Sequence, residues 1–233
     1  LYSEKMNWWK NENLPPGLAD AVVAAKTKLG ERRPLGFEMT DVLKRAKDRQ
    51  EEELRAKLIT RTAQVPRLSA EDKPPAIDGQ LDDPAWQKAV TLEPFVPYFG
   101  SAEGSVKAKT VVQLACDQAN LYVAVRCSEP RMGNLELVGA QRDDDVWTGD
   151  SVDLFITASP QRVPFYHVIV NPTNVRWDAV HGDTTDVSWN PTYESATVRG
   201  EDFWSLELAI PWESLSMSVP GQGAKLFGNI CRQ

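Results

Sequence analysis

The sequence is poor in soft metal ligands. It holds 2 histidines, His167 and His181, and 3 cysteines, Cys116, Cys127 and Cys231, with no Cys-x-x-Cys spacing among its 233 residues. A structural zinc site draws four Cys or His ligands from closely spaced pairs, so none is expected. Long apolar runs are missing too: the longest are a few residues, against the roughly 20 that cross a bilayer, so no membrane span is expected. No signal-peptide pattern stands at the start, and the first residue is Leu1, which suggests a mature or excised piece of a longer chain. Catalytic signatures are scarce as well. No Ser-His-Asp arrangement, phosphate loop or metal-ligand cluster emerges, and the abundant acids read as surface groups, so the expectation is a protein that is not an enzyme.

What is present is an ordinary globular composition, 42% hydrophobic and 25% charged, which disfavours wholesale disorder. Charge is unevenly divided. Residues 1–67 carry 14 Lys/Arg against 10 Asp/Glu, a net +4, whereas residues 68–233 carry 12 against 23, a net −11. Two segments with different jobs follow from this. Nucleic acid is not an expected partner of the acidic part, because phosphate binding needs a basic surface.

The first segment reads as helical. "LPPGLADAVVAAKTKLG" has proline at its start, an apolar stripe at Leu18, Val22, Ala25 and Leu29, and Gly30 as a stop signal, which predicts a helix over residues 15–29. A second helix over 40–61 opens on Thr40 as N-cap and offers the i,i+4 pairs Lys47–Glu51, Glu51–Arg55 and Glu53–Lys57. Trp8 and Trp9 precede these helices and are expected to pack on another part of the full-length protein. The polar, proline-containing stretch "SAEDKPPAIDG" places a boundary near residue 72, with a helical extension over 1–72 and a second domain over 73–233.

There the period changes from helical to two. "VVQLACDQANLYVAVRCSEP" reads as a hairpin that sets Leu121, Val123, Val125 and Cys127 on one face. Its register puts Cys116 opposite a residue near Leu121, so Cys116 and Cys127 do not bond. A Cys127–Cys231 bond stays open beside free buried thiols. "PFYHVIVNP", "NVRWDAV", "TYESATVRG" and "FWSLELAIPW" add four short strands between turn residues. The fold class expected is mainly β: an antiparallel two-sheet, jelly-roll-like β-sandwich with an N-terminal α-helical extension.

One stretch asks for chemistry. In "QRDDDVWTGDSVDLFITAS" Val152, Leu154 and Ile156 share a core face, while Ser151, Asp153, Phe155 and Thr157 share the other. Were the extended backbone to continue backwards, Trp147 would project beside Asp153, the alternative being a solvated acidic loop. Asp143, Asp144, Asp145 and Asp150 place four carboxylates near Gly149, a composition that suits a hard cation such as calcium, although the spacing is not that of a helix-loop-helix calcium loop.

The blocks "PPAIDGQLDDPAWQKAV", "LACDQANLYVAVRCSEP", "DDDVWTGDSVDLFI", "YHVIVNPTN", "WSLELAIPWESL" and "FGNICR" resemble, in order and spacing, the family-nine carbohydrate-binding module over residues 74–232. The resemblance implies a β-sandwich that holds a sugar between two tryptophans, is appended to secreted bacterial polysaccharide-degrading enzymes and carries structural calcium. It implies sugar contacts at Trp147, Asp153 and Asn171, and calcium ligands at Asp144 and Asp145. The partner it implies is a poly- or oligosaccharide, the location extracellular or periplasmic, with further domains on the same polypeptide. Two departures stand out: an arginine of the family's sugar-binding strand aligns with Ile169, and the segment carrying the second sandwiching tryptophan lies beyond Gln233, so the module reads as truncated. Trp86, Trp204 and Trp212 fall in core blocks, and Trp177 and Trp189 stay open. The alternatives are a structural or docking sandwich that has lost sugar binding, and a haem-binding electron-transfer relative that would use Met132 or Met217.

Overall fold

The computed structural model describes residues 61–95 and 108–233, together with Arg45. Trp8, Trp9 and the helices expected over 15–29 and 40–61, apart from Arg45 and Arg61, lie outside them. The chain divides into two compact units, Leu1–Arg61 and Thr62–Gln233. The second unit is the sandwich. It takes in residues ahead of the boundary expected near 72, because Arg67 bridges Cys116 in parallel and Leu68 is buried.

One sheet holds β1 (Val90–Leu92), β2 (Thr110–Cys116), β3 (Asn120–Ser128), β8 (Glu194–Arg199) and β9 (Phe203–Pro211), in the order β1-β2-β3-β9-β8. The other holds β4 (Val152–Thr157), β5 (Phe165–Val170), β6 (Arg176–His181), β7 (Thr185–Asp186) and β10 (Phe227–Arg232), in the order β10-β4-β5-β6-β7. All these pairings are antiparallel. The expected mainly-β sandwich is thus the observed architecture. The β2–β3 hairpin places Cys116 opposite Leu121, and all three cysteines are free thiols. Burial pushes the Cys127 thiol up to about 12, which suits a packing residue.

Period-two alternation explains the core. Val123 and Val125 of β3, Leu206, Leu208 and Ile210 of β9, Val152, Leu154 and Ile156 of β4, and Val168 and Val170 of β5 all point between the sheets. Each such side chain contributes about 1.5–3 kcal/mol by leaving water. Trp204 and Trp212 belong to this core, and Trp189 packs on its edge against Tyr166 at 5.0 Å.

A second cluster covers the outer face of the first sheet. Leu68, Ala85 and Trp86 settle on Ala115, Tyr122, Ala124 and Ala209, with Trp86 on the short helix α1 (Pro84–Lys88). Glu207 projects into this cluster and is wholly buried. Its carboxylate accepts hydrogen bonds from Trp86 Nε1 (2.7 Å), Gly79 N (2.7 Å) and Asp78 N (3.0 Å). Burial raises its pKa while the three donors pull it back. The first sheet's outer face is therefore closed by the chain itself, and the second sheet's outer face is the one left to present side chains.

Candidate functional site

Pairing across the second sheet fixes which side chains share its outer face. Asp153 stands opposite both Cys231 and Ile169, and Ile169 opposite Trp177. Phe155 pairs with Asn229 and His167, and Phe165 with His181. Directly opposed residues share a face, so the rows assemble an aromatic surface from β4, β5 and β6. Phe155 stacks on His167 (centroids 4.0 Å), Phe165 stacks on His181 (4.6 Å), and His167 meets Trp177 edge-on at 5.2 Å.

Trp147 joins this surface by a route that strand parity does not predict. Val146–Thr148 is a turn of 3-10 helix, so the β4 backbone does not continue back to the indole. Asp143, in the left-handed region (φ 71°), helps reverse the chain ahead of the turn. Val146 is the anchor, buried with Ile169 and Val175 and flanked by Trp177. Gly149 closes the turn where a Cβ would stand 2.2 Å from the Glu136 carbonyl oxygen, so only glycine fits. Held this way, Trp147 is 38% exposed and meets Trp177 edge to face, centroids 5.2 Å apart.

Arg142 locks the same loop from below. Its Nη2 donates to Asp178 Oδ1 and Oδ2 at 2.8 and 2.7 Å, and to the Pro191 carbonyl at 3.2 Å. Burial raises the Asp178 pKa, and the guanidinium offsets part of that. Nothing in the spacing of residues 142 and 178 marks this half-buried ion pair in the sequence.

Asp153 is buried on the outer-face row. Its Oδ2 accepts from Gln233 Nε2 at 2.9 Å. Its Oδ1 has no hydrogen-bond partner and faces His167 Nε2, likewise unpartnered, at 3.7 Å. The other nitrogen of His167, Nδ1, lies 3.4 Å from His181 Nε2, and His181 Nδ1 lies 3.1 Å from Thr185 Oγ1. Burial first, and the neighbouring His167 second, lower the His181 pKa.

The other expected site residues sit elsewhere. Asn171 is wholly buried: its Oδ1 accepts from Thr173 N, Thr173 Oγ1 and Val175 N, and its Nδ2 donates to the Val138 carbonyl. It ties the loop at Val138 to the turn at Thr173 and Val175. Asp144 accepts from Ala140 N and Gln141 N, which lowers its pKa, and Asp150 accepts from Glu136 N. Among the described residues no three His, Cys, Asp or Glu side chains gather into a metal-holding group. Met132 and Met217 pack against the main core.

A family model described as carbohydrate family 9 binding domain-like matches residues 77–229. The chain belongs to this family. A curated relative of this family 9-like chain, endo-1,4-β-xylanase C of Paenibacillus barcinonensis, is 26% identical over 144 residues, covering 60% of the chain and only 12% of that enzyme. A candidate carbohydrate-binding protein of Bacteroides uniformis shares the fold at a TM-score of 0.56, with 14% identity over 72% of the chain and 81% of that structure. A family 9 carbohydrate-binding module of Caldicellulosiruptor kristjanssonii in complex with cellotriose is also similar, with a TM-score of 0.49, 20% identity and coverage of 71% and 73%. No helix among the described residues is long and apolar enough to cross a membrane.

Proposed function

We propose that the outer face of the second sheet binds a poly- or oligosaccharide without catalysing its cleavage. The observation that carries this reading is an exposed indole, Trp147, braced by Trp177 beside a buried carboxylate, Asp153. A pyranose ring presents a face of C–H groups that packs on an indole, and its hydroxyls donate to carboxylates. Trp147 is the platform and Asp153 Oδ2 the acceptor, with a sugar hydroxyl taking the place now held by the Gln233 amide. Asn171 serves by fixing the turn at Thr173 and Val175 against Val138.

In this reading the module works within a larger secreted polysaccharide-processing protein, extracellular or periplasmic, whose chemistry resides in other domains. Calorimetric titration with cello- and xylo-oligosaccharides, run beside a hydrolysis assay on the same sugars, tests it: heat of binding without new reducing ends is expected.

A second reading has one observation in its favour. Ile169, where the family carries an arginine, is buried under Trp177, so that row supplies no cation to sugar hydroxyls. A sandwich kept for docking would fold normally and stay silent on a glycan array.

A further inference from the structure

The only two histidines of the chain, His167 and His181, are separated by thirteen residues and brought close by neighbouring strands. We propose that His167 and His181 form a binding site for a divalent transition-metal ion of the zinc or nickel type, held between His167 Nδ1 and His181 Nε2. This does not rest on the sugar-binding reading.

Three observations converge. First, the two nitrogens are 3.4 Å apart. Two zinc–imidazole bonds of about 2.0–2.1 Å meeting at a tetrahedral angle span about 3.3–3.4 Å, so the pair already has the bite of a chelate. Second, each ring has a polar oxygen facing its remaining nitrogen: Thr185 Oγ1 lies 3.1 Å from His181 Nδ1, and Asp153 Oδ1 stands 3.7 Å from His167 Nε2, beyond hydrogen-bond distance. Ligating imidazoles are oriented in this way, through a carboxylate or other acceptor on the nitrogen away from the metal. Third, Asp153 is more than nine-tenths buried and its Oδ1 lacks a hydrogen-bond partner. A carboxylate only accepts, so a His167 proton on Nε2 would suit it, and that tautomer would leave Nδ1 with a bare lone pair.

If His181 likewise donates from Nδ1 to Thr185, two lone pairs confront each other, and a cation relieves that conflict. Water or hydroxyl oxygens complete the coordination. The rings are held without the ion: Phe155 and Phe165 stack on them at 4.0 and 4.6 Å, so little ordering remains to be done on binding. The competing arrangement is a proton wire in which Thr185 donates to His181 and His181 to His167.

The test uses the tag-free 233-residue chain and zinc or nickel chloride in calorimetry, with imidazole resonances followed by NMR. One ion per chain is expected, shifting both imidazole spin systems. H181F keeps a ring against Phe165 and is expected to lower affinity more than tenfold; D153N should lower it about 10–100-fold. If H181F does not fold, H181Q replaces it, and the NMR titration of the unsubstituted chain stands alone. Absence of binding, unshifted imidazole resonances, or binding that survives loss of His181 would each overturn the proposal in favour of the proton wire.

Discussion

Trp147 meets Trp177 edge to face at 5.2 Å, one ring on a loop and the other on a strand. The contact turns an exposed indole into a fixed one. Trp177 is itself packed on Ile169, Val146 and Val175, so the platform rests on the sheet through a small apolar cluster. Preorganisation of this kind spares a ligand the cost of ordering the ring.

Removing the platform should therefore separate binding from folding. W147A is expected to lose sugar binding while unfolding free energy falls by about 1 kcal/mol, the scale of one aromatic pair at a half-open position. Denaturant melts of W147A and W177A check this. W177A should be the more destabilised of the two, and a core-sized loss in W147A would make that indole a packing residue.

Asn171 should show the opposite pattern. N171A leaves the buried N–H of Val175, the N–H of exposed Thr173 and the Val138 carbonyl without this partner, and a loss of about 1–3 kcal/mol is expected in urea unfolding. N171D retains the acceptor but sets a buried carboxylate oxygen against the Val138 carbonyl, so it should not recover that loss at neutral pH.

Glu207 tests the covered sheet. E207Q sets an amide N–H₂ against either the Trp86 donor or the Gly79 and Asp78 pair, and stability should drop by about 1–3 kcal/mol with the fold kept. Near-neutral behaviour in urea would mean that the glutamate is already protonated.

A pH dependence follows from His181. Its folded-state pKa lies below the ordinary histidine value because of burial and, secondarily, His167. The unfolded chain then binds more protons than the native one between the two values, so stability is full above the unfolded pKa and declines as pH falls through and below it. Asp153 and His167 face the same cluster, so unfolding curves with chelator present should be compared for the unsubstituted chain and H181F. The slope near and below pH 6.5 should shrink in the variant.

For calcium, the expected site at Asp144 and Asp145 is tested by melting with excess ion and again with chelator: backbone N–H groups take only Oδ2 of Asp144, and bound calcium should raise the melting temperature, whereas superimposable curves would remove the site.

The sequence made the strands readable because one face of each is core. The alternation of Val152, Leu154 and Ile156, and the hairpin register that sets Cys116 opposite Leu121, both rest on a local period of two. Trp86, Trp204 and Trp212 were legible as packing residues through the family resemblance of their blocks. Trp147 defeated parity, since the 3-10 turn at Val146–Thr148 takes it out of the strand, yet the turn returns it to the expected face. Short β7 and the edge strand β10 carried too little alternation to be read, and without β10 the position of Cys231 beside Asp153 stayed hidden. The meeting of His167 with His181 depends on the β5–β6 register, which residue types alone do not specify.

The central claim is that Trp147 and its neighbours bind sugar, and the most direct measurement is a calorimetric titration of the unsubstituted chain and W147A with cello- and xylo-oligosaccharides. Saturable binding at one site by the former, with loss of at least tenfold in affinity in a folded W147A, is the result predicted. Binding of equal strength in both chains, or none in either with the fold intact, would contradict it.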